Sequence, residues 1–561
     1  MGSFKKLSYC SFVLSLSFLF ADFEDQRIHF LIAKKEYKQA IDFYLKEVEV
    51  KGVHNPEILK DLSKTIIEES IASADSREQM LGLYGLMMSN SNDIDYDFSR
   101  LISSKDPYVQ MLTIQYLSRW SEDLIETWLN KAMSSPFLQV RLLALGELVQ
   151  IKSKLALSHI ESLYFRLPPV FRPIFANYYA ALGTPHSLKI LRQMLSDPDS
   201  EMKVATLLSI CQFGRDDFKE DIRRILTQPD PQVQESAIFA SSVLHDLKTV
   251  DQIKPFIQSN HSNLKLAALM GLTHFHDLSQ NEKIFELALQ GDLFAVFALG
   301  AIEGSDEILA KLSFHPDFNV RLNVLIGLME KKHPLAKPLM LKFLSTHSLY
   351  DGLAPNFSLG KTQNCLKVFP AYVKQFEKSK EFAHYVRGMT QMIRQQLLIQ
   401  SMELKESEFL EIAQFIFEHE ILDLIPPLVH LLENYHSQET IDMLKKMAQK
   451  VGSPRTRLYC LIALARLKSH AFYDQFFEWL KNQNHQSIIQ LDAFDTQESN
   501  NKKGNRFFLT PDENSQLLIE AYETLVYLHD EKCFSILLNA LVHAPKQNQP
   551  VLAGLILKAL L

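Results

Sequence analysis

The fold is indicated most clearly by DPDSEMKVATLLSI, residues Asp197–Ile210. It opens with a proline–aspartate turn and places apolar residues at Met202, Leu207 and Ile210. The positions five and eight residues after Met202 lie on the same side as Met202 in a helix with 3.6 residues per turn. Because Pro and Asp favour the start of a helix, the stretch predicts a short helix with one apolar face.

The same pattern recurs along the chain at a nearly fixed interval. We call the residue equivalent to Met202 the anchor of a repeat, and it returns every 31 residues and then after 30 and 26. The anchors are Val109, Val140, Phe171, Met202, Val233, Leu264, Phe294 and Val320. Turn aspartates precede several anchors, namely Asp106, Asp197, Asp230 and Asp317. Gly183 and Gly214 follow their anchors by twelve residues and predict the ends of two of these helices.

A second amphipathic segment separates each of these helices from the next, so the repeating unit is a helical hairpin of about 31 residues. A hairpin of this size cannot bury its apolar face alone and has to stack on its neighbours. The small numbers of Gly (18) and Pro (22) in 561 residues also disfavour a turn-rich β fold. The sequence therefore predicts an all-α protein built as an α-solenoid.

The repeat resembles the bacterial HEAT-like repeat, whose second helix begins with a D-P-x-x-x-V-R-x-A-A-L theme. Similar stretches are SSPFLQVRLLALGEL (134–148), QPDPQVQESAIF (228–239) and HPDFNVRLNVLIGL (315–328), and the resemblance covers about residues 101–345. Near the N-terminus, AKKEYKQAIDFYLKEVE (33–49) is similar to half of a tetratricopeptide repeat. The HEAT resemblance implies a curved scaffold for macromolecular contacts and specifies no chemistry, so function has to be argued from a site.

The first residues have the pattern of a secretory signal peptide. Lys5 and Lys6 precede an apolar run over residues 7–20, and Ala21 precedes an acidic segment. We expect residues 1–21 to be removed on export to the periplasm or envelope of a Gram-negative-type bacterium, with secretion into the medium as the second choice. A buried first helix is the alternative. No later apolar run is long enough to cross a membrane.

These observations predict five segments. Their boundaries are 1–21 for the signal peptide, 22–100 for N-terminal tetratricopeptide-like hairpins, 101–345 for the HEAT-like solenoid, 346–405 for an irregular connector, and 406–561 for C-terminal HEAT-like repeats with a polar loop at 492–514. The chain ends in the apolar stretch VLAGLILKALL (551–561), for which we expect a neighbouring element or a second copy of the chain as cover.

Five anchors are followed directly by a basic residue: Arg141, Arg172, Lys203, Lys265 and Arg321. A row of cations could bind phosphates. However, the position after the anchor lies at about 100° around the helix, within the core-facing arc, near the turn aspartates. With a formal net charge of −7, we interpret these residues as a structural ladder of aspartate–cation contacts and expect no nucleic-acid partner.

The position six residues after the anchor lies at about 240°, opposite the core-facing positions. It is apolar and large in the later repeats, at Leu208, Phe239, Met270 and Ile326. Exposed apolar rows of this kind mark partner sites. Burial of the row inside a tightly wound solenoid is the alternative.

Candidate chemistry is sparse elsewhere. His274 and His276 stand two residues apart and so point to different sides of a helix. Glu418-His419-Glu420 resembles one metal-binding pair of a HEAT-type iron hydroxylase, which needs several such pairs. Gly360-Lys361-Thr362 lacks the first glycine of a phosphate-binding loop, because position 355 is Pro. We therefore expect no catalytic residue, metal or cofactor.

The sequence favours an exported, non-enzymatic scaffold that binds a protein partner along one face of the solenoid. An enzyme similar to the HEAT-like lyases that handle tetrapyrroles, or a small-molecule-binding protein, is the alternative. Self-association through the apolar C-terminal helix is a further expectation.

Overall fold

A computed structural model describes residues 25–90, 98–119, 122–346, 393–449, 454–481, 511–530 and 532–561. All regular elements in these ranges are helices, and no strand occurs in them, which confirms the all-α prediction. The predicted signal peptide, most of the connector and most of the 492–514 loop lie outside the described residues, as do Gly360–Thr362.

The chain divides into two compact units. Unit 1 combines Met1–Glu147 with His436–Leu561, and unit 2 is Leu148–Tyr435. The predicted 22–100 hairpins therefore share one unit with the part of the predicted 406–561 repeats that follows Tyr435, whereas residues 406–435 belong to unit 2. The division at Glu147 falls inside the predicted 101–345 solenoid.

The first part of unit 1 is helical at residues 25–33 and in seven further helices, the last of which extends across the division at Glu147. They are α1 (Tyr37–Lys51), α2 (Pro56–Ala72), α3 (Ser76–Ser89), α4 (Ser99–Ile102), α5 (Pro107–Leu117), α6 (Glu122–Ala132) and α7 (Leu138–Gln150).

Unit 2 continues with short helices, and residues 393–400 are also helical. They are α8 (Ala156–Arg166), α9 (Ile174–Leu182), α10 (Pro185–Leu195), α11 (Ser200–Gln212), α12 (Lys219–Ile225), α13 (Pro231–Val243), α14 (Val250–Ile253), α15 (Ser262–His274), α16 (Asn281–Leu289), α17 (Leu293–Ala298), α18 (Asp306–Leu312), α19 (Phe318–Glu330), α20 (Ala336–Thr346), α21 (Glu406–Glu418) and α22 (Ile425–Leu432).

The rest of unit 1 comprises six helices. They are α23 (Gln438–Gln449), α24 (Pro454–Arg466), α25 (Tyr473–Lys481), α26 (Pro511–Tyr527), α27 (Lys532–His543) and α28 (Gln549–Ala559).

The predicted core positions form the contacts between successive hairpins. Every residue five or eight positions after an anchor, from Ile114 to Leu328, is buried. In unit 2, α9, α11, α13 and α15 each pack on the next, as hairpin stacking requires. Six of the eight anchors are buried as well, whereas Phe294 is part-exposed and Phe171 is 43% exposed. Phe171 was wrongly predicted as a core anchor, because prolines hold Pro169–Phe171 in a 3-10 turn and α9 begins only at Ile174.

The turn aspartates start the helices by capping them. Asp106, Asp230 and Asp317 each accept a hydrogen bond from the backbone N–H two residues on, at 2.7–2.9 Å. In the repeat over Asp197–Ile210 the cap is Asp199, which accepts a hydrogen bond from Glu201 N at 3.0 Å. Asp197 accepts from the backbone N–H of Asp199. Each cap satisfies a backbone donor that the first helical turn leaves unpaired.

In the described residues, left-handed backbone occurs at seven basic residues and at five glycines. Gly183 (φ 60°) and Gly214 (φ 58°) adopt the left-handed conformation at the predicted ends. The same conformation is adopted by non-glycine residues after other helices, namely Lys35, Asn90, Lys152, His245, His276, Lys332, Glu420, Lys468 and His529. Most of these are basic residues beside a helix C-terminus, where the macrodipole favours positive charge.

The apolar C-terminal helix is covered by the chain itself. Residues 550–557 of α28 are buried, and α28 packs against α2 and α3 within unit 1. Gly85 of α3 and Gly554 of α28 meet backbone to backbone, and a Cβ at Gly554 would overlap the carbonyl of Gly85. The Lys546 Nζ lies 3.1 Å from the Glu69 carboxylate of α2. The apolar face proposed for self-association is therefore occupied by the N-terminal helices of the same chain.

Candidate functional site

Three neighbouring helices of unit 2 carry the surface that the sequence singles out. α11 packs on α13, and α13 packs on α15. The last two approach closely, since a Cβ on Gly271 of α15 would lie 2.9 Å from the Ile238 side chain of α13. The core-facing residues of each helix point into the hairpin stack, which leaves the opposite side of each helix to form a continuous face.

We call this surface the second-helix face and define it by the residues two, six and ten positions after each anchor. They are Val204, Leu208 and Gln212 on α11, Glu235, Phe239 and Val243 on α13, and Leu266, Met270 and His274 on α15. Leu208, Phe239 and Met270 are part-exposed, Val243 is 43% exposed, and Leu266 is buried. The centre of the face is thus an apolar row that solvent reaches in part.

Ile326 does not belong to this row. It is 1% exposed, and all residues of α19 from 322 to 329 are buried. The anchor spacing shortens before this helix, and a 3-10 turn at Leu299–Ala301 packs onto α19. A Cβ on Gly327 would lie only 3.2 Å from the Cα of Gly300. The prediction of an outward-facing Ile326 was wrong, because α19 is buried around its whole circumference at this point.

The same face carries a carboxylate, Glu235, that the repeat pattern did not predict. Glu235 is four residues before Phe239 on α13, so the two side chains lie on adjacent turns of one side of the helix. Burial raises the pKa of Glu235 to about 7, and no charged group contributes to this shift. The sequence shows a polar residue two positions after an anchor. It does not show that this residue is buried, because the burial depends on the neighbouring helices.

The edge of the face is polar. Asn177 of α9 donates a hydrogen bond from Nδ2 to Gln212 Oε1 at 2.8 Å. The His274 ring stacks on His245, with centroids 4.9 Å apart and an angle of 18° between the planes. Burial and the nearby imidazole of His245 lower the pKa of His274. An apolar centre with a hydrogen-bonding edge is the usual composition of a protein-binding surface.

The predicted ladder of basic residues has other partners than aspartates. Within the described ranges, none of Arg141, Arg172, Lys203, Lys265 and Arg321 forms an ion pair with an aspartate. Lys203 donates to Gln228 Oε1 at 2.9 Å, and Arg321 donates to the carbonyls of His315 and Pro316 at 2.6 and 2.8 Å. The Arg172 guanidinium lies over the Tyr164 ring at 5.3 Å. The predicted ion pairs with the turn aspartates are therefore not formed, although the charge of Lys203 still helps to lower the pKa of Asp230.

Ion pairs between hairpins of unit 2 come from other positions. Arg223 forms a two-pronged contact with Asp246 at 2.7 and 2.8 Å, and Arg394 contacts Asp423 at 2.9 and 3.2 Å. Arg192 Nε lies 3.2 Å from Asp221. The partners are 23–29 residues apart in sequence. Sequence reasoning missed them because they recur at no fixed position in the repeat.

The histidines that the sequence analysis considered as metal ligands are not grouped with enough other ligands to hold a metal. In the part of the chain that the structure describes, no group of three or more His, Cys, Asp or Glu residues is arranged to hold a metal ion. The His419 ring stacks on Phe415 with centroids 3.9 Å apart, and its Nδ1 lies 3.0 Å from the Phe415 carbonyl oxygen. His419 therefore lies against its own helix end.

Comparisons with known proteins add no relative. No protein-family model matches the chain, and no curated protein matches it either. Across the described ranges, no helix has both the length and the apolar composition needed to cross a membrane.

Proposed function

We propose that this protein is a non-enzymatic scaffold that binds a protein partner on the second-helix face. The observation that carries the proposal is the part-exposed apolar row of Leu208, Phe239 and Met270 on three helices packed side by side. Partner proteins bind such rows by burying the apolar side chains away from water. Val243, at 43% exposure, extends the row on α13.

We further propose that the repeats are HEAT-like and that α1 and α2 form a tetratricopeptide-like pair. The capped second helices and the 31-residue period support the first assignment. The burial of Tyr37, Ala40 and Tyr44 on α1 supports the second. Both families present repeat surfaces to other macromolecules, which agrees with a binding role.

Export is also part of the proposal. The charged start, the apolar run over residues 7–20 and Ala21 support cleavage by a signal peptidase. Expression of the full chain in a Gram-negative host tests it. We expect an envelope fraction containing a protein that begins at Asp22, and a cytoplasmic protein that retains residues 1–21 would contradict export.

The binding role is tested by affinity capture from cell envelopes, with the chain from residue 22 as bait and mass spectrometry as the readout. The informative variants are Phe239→Ser and Met270→Ser. The matched control is Leu247→Ser, because Leu247 is apolar and 66% exposed but lies in the turn after α13.

A partner in stoichiometric amount that binds the wild type and Leu247→Ser, and is lost with both face variants at unchanged melting temperature, supports the proposal. Equal capture by all four proteins would contradict it. Recovery of a coloured small molecule in place of a protein partner would favour the lyase-like alternative.

A further inference from the structure

The second-helix face contains a carboxylate, Glu235, that an apolar partner cannot satisfy. Glu235 is part-exposed between the side chains of an apolar row, and the side of α13 that carries it continues into Phe239 and Val243. A partner that covers Phe239 also removes the water that remains around Glu235. A carboxylate deprived of water needs a hydrogen-bond donor or a counter-charge, or it weakens the complex.

The arrangement of the two side chains selects the kind of donor. Glu235 and Phe239 lie one helical turn apart, about 5–6 Å between their Cβ atoms. An arginine side chain can place its planar guanidinium against an aromatic ring while it donates paired hydrogen bonds to a carboxylate. A lysine ammonium lacks the planar fork that makes both contacts at once.

We propose that Glu235 and Phe239 together form a subsite for an arginine side chain, flanked by apolar residues, on the protein partner. The flanking apolar residues contact Leu208 and Met270 on the adjacent helices. This inference rests on the proposed function, since it names the chemistry of the partner that the second-helix face binds.

A library of random twelve-residue peptides, displayed on phage and selected on the immobilised full chain, tests the subsite. The proteins compared are the wild type, Glu235→Gln, Glu235→Ala, Phe239→Ser and the control Leu247→Ser. Melting temperatures show that each variant is folded. The strongest peptide is then synthesised with arginine and with citrulline, its neutral counterpart of nearly the same shape.

We expect the wild type and Leu247→Ser to select peptides enriched in arginine next to apolar residues. Both Glu235 variants should retain the apolar preference and lose the arginine preference. Replacing arginine by citrulline should weaken binding to the wild type about tenfold, as expected for the loss of one charge-assisted contact, and should leave binding to Glu235→Gln unchanged.

Two results would overturn the subsite while leaving the scaffold proposal intact. One is apolar enrichment without arginine on the wild type, and the other is arginine enrichment that persists in both Glu235 variants. A third result separates the two proposals. If Phe239→Ser selects the same peptides as the wild type, the second-helix face itself is not the binding surface.

Discussion

At Gly85 and Gly554 the absence of a side chain sets how closely two helices of unit 1 approach. The backbones of α3 and α28 touch at these residues, and the contact continues into the buried apolar residues of α28. Alanine is the better helix former by about 1 kcal/mol. The local propensity and the tertiary contact therefore favour different residues at position 554, and the contact determines the choice.

Replacement of Gly554 by Ala should destabilise unit 1. The new methyl group would overlap the Gly85 carbonyl, which belongs to the backbone and cannot rotate away. We expect the free energy of unfolding in urea to fall by about 2 kcal/mol or more, because overpacking outweighs the gain in helix propensity. Lys558→Ala on the same helix is the control, since it removes only a half-exposed ion pair with Glu523. Equal stability of the two variants would contradict the close contact.

The N-cap of α13 gives a pH-dependent prediction. Asp230 accepts from Gln232 N at 2.9 Å and from Val233 N at 3.2 Å, and it also accepts from the Ser200 hydroxyl. The Ser200 hydrogen bond is the main cause that lowers the pKa of Asp230. A lowered pKa in the folded state means that the stabilisation is complete above the unfolded pKa of about 3.9 and is lost as the pH falls further.

We expect Asp230→Ala to reduce the free energy of unfolding at pH 7 by about 1–2 kcal/mol, the usual loss for an N-cap. Asp230→Asn should lose less, because its side-chain oxygen can still accept from the helix start. Urea unfolding at pH 7 and at pH 3 measures both effects. A difference between wild type and Asp230→Ala that is as large at pH 3 as at pH 7 would contradict the role of the ionised carboxylate.

Glu235 should make the folded protein less stable as the pH rises, which is the opposite of the effect of Asp230. Its pKa is raised to about 7 in the folded protein, so the folded state holds a proton that the unfolded state releases above its pKa of about 4.3. Stability therefore decreases as the pH rises between these two values. Glu235→Gln should match the wild type in melting temperature near pH 4 and exceed it at pH 8. The control is Glu282→Gln, which replaces an exposed glutamate on α16. Its melting temperature should not diverge from that of the wild type in this way.

At the scale of helices, much of unit 2 follows from local sequence signals. The positions five and eight residues after each anchor were predicted to be buried, and they are, because helical periodicity places them on one side irrespective of their neighbours. Gly183 and Gly214 end their helices as predicted, because their conformation is a local property of the backbone.

Other features depend on residues far away in sequence. Ile326 has the same helical position as Phe239, but α19 is buried on all sides between residues 322 and 329, and no pattern around Ile326 signals this packing. Glu235 is unremarkable by sequence, because its surroundings come from adjacent hairpins about 31 residues away. The left-handed ends at Lys152 and Lys468 were not predicted, because glycine is the usual sequence signal for that conformation.

At the scale of the whole chain, the described N-terminal helices and the helices after His436 belong to one compact unit. α28 packs on α2 and α3, α27 contacts α1, and the Lys546 ammonium lies 3.1 Å from the Glu69 carboxylate. The sequence shows that α28 is apolar but does not identify its partner. The covering surface is formed by apolar residues of α2 and α3 that resemble those of any other hairpin.

A carbodiimide reagent, which joins a carboxylate to an adjacent amine without a spacer, tests this arrangement. We expect a cross-link between Glu69 and Lys546 within a single chain, found by peptide mass spectrometry at low protein concentration. Lys546→Gln is the control and should lose this product. In a mixture of isotopically labelled and unlabelled protein, a cross-link found only between a labelled and an unlabelled chain would show that the C-terminal helix associates with a second copy instead.

The burial of α28 against α2 and α3 also sets an order of events during translation. The N-terminal helices leave the ribosome hundreds of residues before the segment that covers them, an interval of roughly tens of seconds at about 5–20 residues per second. Throughout that time their apolar surfaces are open to chaperones. Ribosome-bound chains that stop before residue 549 should therefore remain sensitive to protease in their N-terminal helices, and release of the complete chain should end that sensitivity.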